Sequence, residues 1–86
     1  RVLHMNRRET YEHLKRNPKN VRFKDLCRAA ETFGFRRKGS HTVYVRDGIP
    51  DILNFQNVKG KAKPYQVRQL LKIIEHYILL GDEDAA

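Results

Sequence analysis

Residues 35–56, FRRKGSHTVYVRDGIPDILNFQ, carry the clearest signal of secondary structure in the chain. In the middle of this stretch, Val43 and Val45 alternate with polar and aromatic residues, which is the two-residue period of a strand. Asp47-Gly48 comes next, and this dipeptide is typical of the tight turn between antiparallel strands. The stretch therefore predicts a β-hairpin, with the two valines on the buried face of its first strand.

Two further strands complete a small sheet. The return strand of the hairpin is expected over residues 52–56, where Leu53 and Phe55 form the apolar face. A short strand over residues 35–38 is expected to pair with the other side of the first strand. The sheet is therefore predicted to be three-stranded and antiparallel.

Helices are predicted on both sides of this stretch. The first has Asn20 as a plausible N-cap and ends at Gly34, where a left-handed cap residue belongs. The last begins at Pro64 and ends near Gly81. Their apolar positions recur at helical spacing: Phe23, Leu26, Cys27 and Ala30 in the first, and Val67, Leu70, Leu71, Ile74 and Ile78 in the last. A further short, mostly exposed helix is expected over residues 6–16.

The predicted order is α-β-β-β-α, with both helices on one face of a three-stranded antiparallel sheet. This is an α+β fold with the layers of a double-stranded-RNA-binding domain. Eighty-six residues leave room for one domain. We expect four parts: residues 1–4 are an expression scar, residues 5–19 an N-terminal extension, residues 20–81 the domain, and residues 82–86 an acidic frayed tail.

The charge of the chain favours a polyanionic partner. Eighteen Lys and Arg against ten Asp and Glu give a net charge of +8, and nine basic but only two acidic residues lie between Phe33 and Ile74. A basic surface of this kind suits nucleic acid or an acidic protein. The alternative is a charge run that serves only as a solvated face.

Several other classes of protein are disfavoured. The one cysteine, Cys27, excludes an internal disulfide framework and every multi-cysteine zinc pattern, and it suits the cytoplasm. The longest wholly apolar run, residues 77–80, is far too short for a membrane span. No histidine pair has metal-ligand spacing, and Asp47 and Asp51 are isolated, so we expect no metal and no other cofactor.

Gly39-Ser40-His41 carries the most promising chemistry. Histidine titrates near neutral pH, and the basic run Arg36-Arg37-Lys38 stands directly before this tripeptide. Strand alternation puts His41 on the side of Val43 and Val45, so it is expected at the edge of the buried face. The alternative is a surface histidine that only hydrogen-bonds its turn.

A second basic run, Lys59-Gly60-Lys61-Ala62-Lys63, leads into the last helix. The free N–H groups and positive dipole end of a helix attract anions, so this run suits a phosphate, although a soluble turn would have the same composition. The residues predicted to bind RNA are Arg37, Lys38, Ser40, Lys59, Lys61 and Lys63.

Five short motifs occur in an order that resembles the HicA toxin family over roughly residues 17–78. They are Arg22-Phe23-Lys24-Asp25-Leu26, Phe33-Gly34-Phe35, Gly39-Ser40-His41-Thr42-Val43-Tyr44, Leu53-Asn54-Phe55-Gln56 and Gly60-Lys61-Ala62-Lys63-Pro64-Tyr65-Gln66-Val67. Each motif is weak by itself, and their order and spacing together carry the resemblance. The domain over residues 20–81 is therefore expected to be HicA-like.

The resemblance implies a fold similar to the double-stranded-RNA-binding domain and a type II toxin-antitoxin role. Members of the family are metal-independent toxins that cleave mRNA and are neutralised by a HicB antitoxin, which masks the active site. His41 would then be the catalytic residue, and the free toxin is expected to be a monomer. Many members have a second histidine where this chain has Thr42.

Two other functions remain open from the sequence. A noncatalytic double-stranded-RNA-binding module would use the same basic runs to contact phosphates. A protein-binding adaptor would instead present its basic face to an acidic partner. In the catalytic case, His41 accepts the proton of a ribose 2′-OH while Arg37, Lys38, Lys61 or Lys63 offsets charge on the phosphorane.

Overall fold

The fold is α+β, as predicted, in the computed structural model, which describes residues 5–39, 42–77 and 79. Strands β1, β2 and β3 form a three-stranded antiparallel sheet in that order, and β4 and β5 form a separate two-stranded ladder. The elements are α1 (Arg7–Arg16), α2 (Phe23–Thr32), β1 (Arg36–Arg37), β2 (Val43–Arg46), β3 (Ile49–Asn54), β4 (Asn57–Val58), β5 (Lys61–Ala62) and α3 (Pro64–His76).

The β2–β3 hairpin is confirmed, but its second strand is displaced from the prediction. Because the turn consists of Asp47 and Gly48 alone, β3 begins at Ile49 rather than at residue 52. A register irregularity between Tyr44 and Arg46 accommodates this early start. Pairing continues one residue beyond β3, since the Phe55 N–H donates to the carbonyl of residue 42 at 3.0 Å.

The buried residue of β2 is Tyr44, and the prediction that Val43 and Val45 face the core is wrong. Tyr44 pairs with the fully buried Leu53, so both side chains share the helix-covered face. The Tyr44 ring also lies 5.5 Å from that of Phe55, and this large pair fills the space under the helices. The two valines are half-buried on the opposite face.

His41 was predicted at the edge of the buried face because the valines were expected there, so the valines no longer support that position. His41 and Ser40 themselves lie outside the described residues.

Helix α1 packs more closely than the sequence suggested. Asn6 and Glu9 form a reciprocal capping box at its start, which satisfies two backbone N–H groups. Leu14 is fully buried in the common core, and Arg7 donates from Nε to the Thr32 carbonyl at 3.0 Å. The helix contacts both α2 and α3 and is therefore docked on the domain rather than mostly exposed.

The other helix ends agree with the sequence in part. Gly34 follows α2 with a φ of +88°, and Pro64 opens α3, as expected. Asn20 is not the N-cap of α2, because that position is Arg22; the Asn20 side chain instead accepts from Lys61. Helix α3 ends at His76; Ile78, Gly81 and the predicted tail lie outside the described residues. No described helix is long and apolar enough to span a bilayer.

Candidate nucleic-acid interface

An open groove lies where β2 begins and β3 ends. Thr42, Asn54 and Gln56 line it from the sheet side, Val58 lines it from β4, and Lys63 lines it from the start of α3. Thr42 directly follows His41 in the chain. The groove is therefore the described surface that adjoins the predicted catalytic position.

Thr42 is anchored to the opposite strand in two ways. Its Oγ1 donates to the Phe55 carbonyl at 2.5 Å, and its own carbonyl accepts the Phe55 N–H at 3.0 Å. Phe55 is in turn buried in the core. The chain immediately after His41 is thus held to the core through Phe55.

Gln66 fixes the backbone of two residues that line this groove, Asn54 and Gln56. Its Oε1 accepts the Gln56 N–H at 2.9 Å, and its Nε2 donates to the Asn54 carbonyl at 2.5 Å. The carboxamide thereby pairs with the backbone as a neighbouring peptide would. Only 3% of Gln66 is exposed, whereas Asn54 and Gln56 are exposed residues, so these hydrogen bonds are partly buried. Lys63, the N-cap of α3, lies three residues earlier.

The buried position of Gln66 was not predicted, although its spacing along α3 indicates it. Position 66 precedes Leu70 by four residues and therefore lies on the apolar stripe of α3. A polar residue on such a stripe indicates a buried group with hydrogen-bond partners.

One of the predicted RNA-binding residues lines the groove, and a second is paired through its backbone with a residue that lines it. Lys63 lines it directly, and its ammonium group stands 6.0 Å from the ring centroid of Tyr65. Lys38 is exposed, and its N–H donates to the carbonyl of Val43 at 2.8 Å, so it lies across from a residue that lines the groove. These two cations flank the start of β2.

The remaining predicted contacts lie elsewhere. Arg37 pairs with Tyr44 and so shares the helix-covered side of the sheet. Lys59 is at the tip of the β4–β5 hairpin with a φ of 54°, and Lys61 donates to the Asn20 side chain at 3.0 Å. Arg37, Lys59 and Lys61 are therefore separated from Lys38 and Lys63. Ser40 lies outside the described residues.

Cys27 and Tyr44 are unsuited to proton transfer at neutral pH. Burial, together with the Cys27 hydrogen bond, raises the pKa of Tyr44 to about 12. Burial also raises the pKa of the Cys27 thiol, so the reactive thiolate is disfavoured. Within residues 5–39, 42–77 and 79, no three His, Cys, Asp or Glu side chains form a group that could hold a metal ion.

No protein-family model, curated protein or solved structure matches this chain. The fold and the groove define an α+β domain with a basic surface beside its sheet. Membership of the HicA family remains a prediction from the motifs.

Proposed function

We propose that the chain is a HicA-type toxin, a ribonuclease that cleaves mRNA without a metal and is inhibited by a HicB-type antitoxin. The observation that carries the proposal is the groove lined by Thr42 and Lys63, because it adjoins His41 in the chain and presents a cation. A proton acceptor beside a cation is the arrangement that phosphodiester transfer needs.

The reaction is an attack of the ribose 2′-oxygen on the adjacent phosphorus. His41 accepts the 2′-hydroxyl proton as the 2′-O–P bond forms, and the P–O5′ bond breaks. The leaving 5′-oxygen takes a proton from water, and protonated His41 returns its proton to the hydroxide that remains. The products are a 2′,3′-cyclic phosphate and a 5′-hydroxyl end, and no oxidant or metal enters the balance.

The general base and the lysines contribute to the rate in different ways. General-base assistance of this kind contributes about 10² to 10⁴-fold. Lys63, which lines the groove, supplies positive charge that offsets the charge developing on the phosphorane oxygens, and Lys38, whose backbone pairs with Val43, is the second candidate.

Cleavage of a labelled RNA by the purified protein tests the enzymatic part. We expect His41→Ala to lose cleavage while keeping RNA affinity, and the matched variant His13→Ala, on α1, to keep both. A chelator should leave the rate unchanged. RNA binding without any cleavage by the wild-type protein would instead support the noncatalytic double-stranded-RNA-binding module.

Induction of the chain in a bacterial host tests the biological part. We expect growth arrest that depends on His41, and rescue when the neighbouring reading frame is expressed with it. Arrest by the His41→Ala variant as well would contradict a toxin that acts through RNA cleavage.

A further inference from the structure

One face of α3 carries a line of basic and aromatic side chains that do not line the groove. Tyr65, Arg68, Lys72 and His76 follow one another at intervals of three or four residues, so they lie on the same side of the helix. All four are exposed. Lys63 stands at the head of this line, and we call the line from Lys63 to His76 the α3 track.

The track is continuous with the groove. Lys63 lines the groove, and its ammonium group lies over the Tyr65 ring. Side chains four residues apart on a helix are separated by about 6 Å along its axis, and the whole track is about 20 Å long. A chain of phosphates leaving the groove can therefore follow the helix from its first turn to its last.

The acidic residues near the track do not cancel its charge. Among the described residues, Asp51 is the one carboxylate that lines this side of α3, and the Tyr77 hydroxyl donates to it at 3.5 Å. Glu75 accepts from the Tyr11 hydroxyl on α1 and lies 3.5 Å from Lys15, although the charge of Lys72 also acts on it. Lys63, Arg68 and Lys72 thus outnumber Asp51 and Glu75 along this side of α3.

Tyr65 distinguishes between kinds of polyanion. Tyr65 is 56% exposed, and the ammonium group of Lys63 lies over its ring. An exposed ring beside a basic path is the arrangement by which proteins stack unpaired bases while tracking a single-stranded backbone. Within a duplex, neighbouring base pairs cover each other's faces, so only the two ends could stack on such a ring.

We propose that the α3 track binds single-stranded RNA, with Arg68 and Lys72 contacting successive phosphates and Tyr65 stacking on an unpaired base. This inference rests on RNA being the ligand of the proposed function, but it does not depend on cleavage. It extends the binding site from the groove along the outward face of α3.

The phosphate contacts are tested by salt dependence. The probe is a fluorescent 2′-O-methyl RNA 12-mer, which lacks the free 2′-hydroxyl and stays intact. Each phosphate contact to a single strand contributes about 0.7 to the slope of log Kd against log salt. We expect the double variant Arg68→Gln and Lys72→Gln to reduce the slope by about 1.4. The charge-matched control, Arg16→Gln and Lys19→Gln, should keep the wild-type slope.

The stacking contact is tested with the same probe and its blunt duplex. We expect Tyr65→Ala to weaken binding of the single strand by roughly 10-fold and Tyr65→Phe to preserve it. The affinity for the duplex should be the same in all three proteins. Equal losses for strand and duplex, or no loss for either, would overturn the assignment of Tyr65.

The outcomes separate this inference from the proposed enzyme. A protein that binds the 12-mer through the α3 track but cleaves no RNA would refute the enzyme and support the track. A protein that cleaves RNA while the Arg68 and Lys72 double variant shows the slope of its control would refute the track.

Discussion

The side-chain carbonyl of Gln66 accepts the backbone N–H of Gln56 at 2.9 Å, so one residue of α3 completes the hydrogen bonding of the chain just beyond β3. The same carboxamide donates to the Asn54 carbonyl. Phe55, between these two residues, holds Thr42 through two further hydrogen bonds. The position of the chain after His41 is therefore linked to the first turn of α3.

Replacing Gln66 with Leu should destabilise the fold markedly. Two partly buried backbone groups would lose their partners, and an unsatisfied group costs about 1 to 3 kcal/mol when it is fully buried. We expect a loss of about 1 to 3 kcal/mol in the free energy of unfolding, measured by urea denaturation. Exchange of the Gln56 amide hydrogen should also become faster. The control is Gln69→Leu on the same helix, and equal effects of the two would contradict a clamping role.

Thr10 offers a route to stabilisation. Its hydroxyl is fully buried and has no hydrogen-bond partner among the described residues. Valine has nearly the same shape without the polar group, so Thr10→Val should raise stability by about 1 kcal/mol, or about 4 to 8 °C in Tm. The comparison is Thr32→Val, which removes a hydroxyl that donates to the Arg28 carbonyl. A Thr10→Val protein no more stable than wild type would refute this reading.

Lys59 combines strain with a proposed RNA contact. Lys59 and Gly60 form a two-residue turn in which both φ angles are positive, at 54° and 85°. Asn-Gly suits such a turn far better than Lys-Gly. We expect Lys59→Asn to raise the Tm by a few degrees and to weaken RNA binding modestly through the lost charge. Lys59→Arg, which keeps the charge and the strain, should change neither property.

Docking of α1 should weaken in acid. The hydrogen bond from the Tyr11 hydroxyl lowers the pKa of Glu75 below its ordinary 4.5, with the charge of Lys15 assisting. A lowered carboxyl pKa contributes stability above the unfolded pKa, and this is lost as the pH falls through the folded pKa. The Tm advantage of wild type over Glu75→Gln should therefore be present at about pH 6 and vanish near pH 3. An advantage independent of pH would contradict the assignment, and Glu12→Gln on the exposed side of α1 is the control.

The sequence predicted the sheet well because its signals are local. The turn at Asp47 and Gly48, the cap at Gly34 and the helix start at Pro64 all follow from backbone preferences of single residues. The burial of Leu53 and Phe55 follows from strand alternation. Each of these features is decided within a few positions of the residue concerned.

Other features depend on contacts between distant residues. The face of β2 could not be assigned from alternation, because valines and a tyrosine compete for the core and the tyrosine packs on Phe55. The burial of α1 depends on surfaces of α2 and α3 that the thin apolar pattern of residues 6–16 did not reveal. The clamp of Gln66 joins residues ten positions or more apart.

If His41 assists attack by the ribose 2′-oxygen, the cleaved RNA must carry the ends that this attack produces. Mass spectrometry of a short RNA incubated with the protein should find 2′,3′-cyclic phosphate and 5′-hydroxyl ends, and His41→Ala should form neither. Products with 5′-phosphate ends, or the same products from His41→Ala at the wild-type rate, would contradict this role of His41.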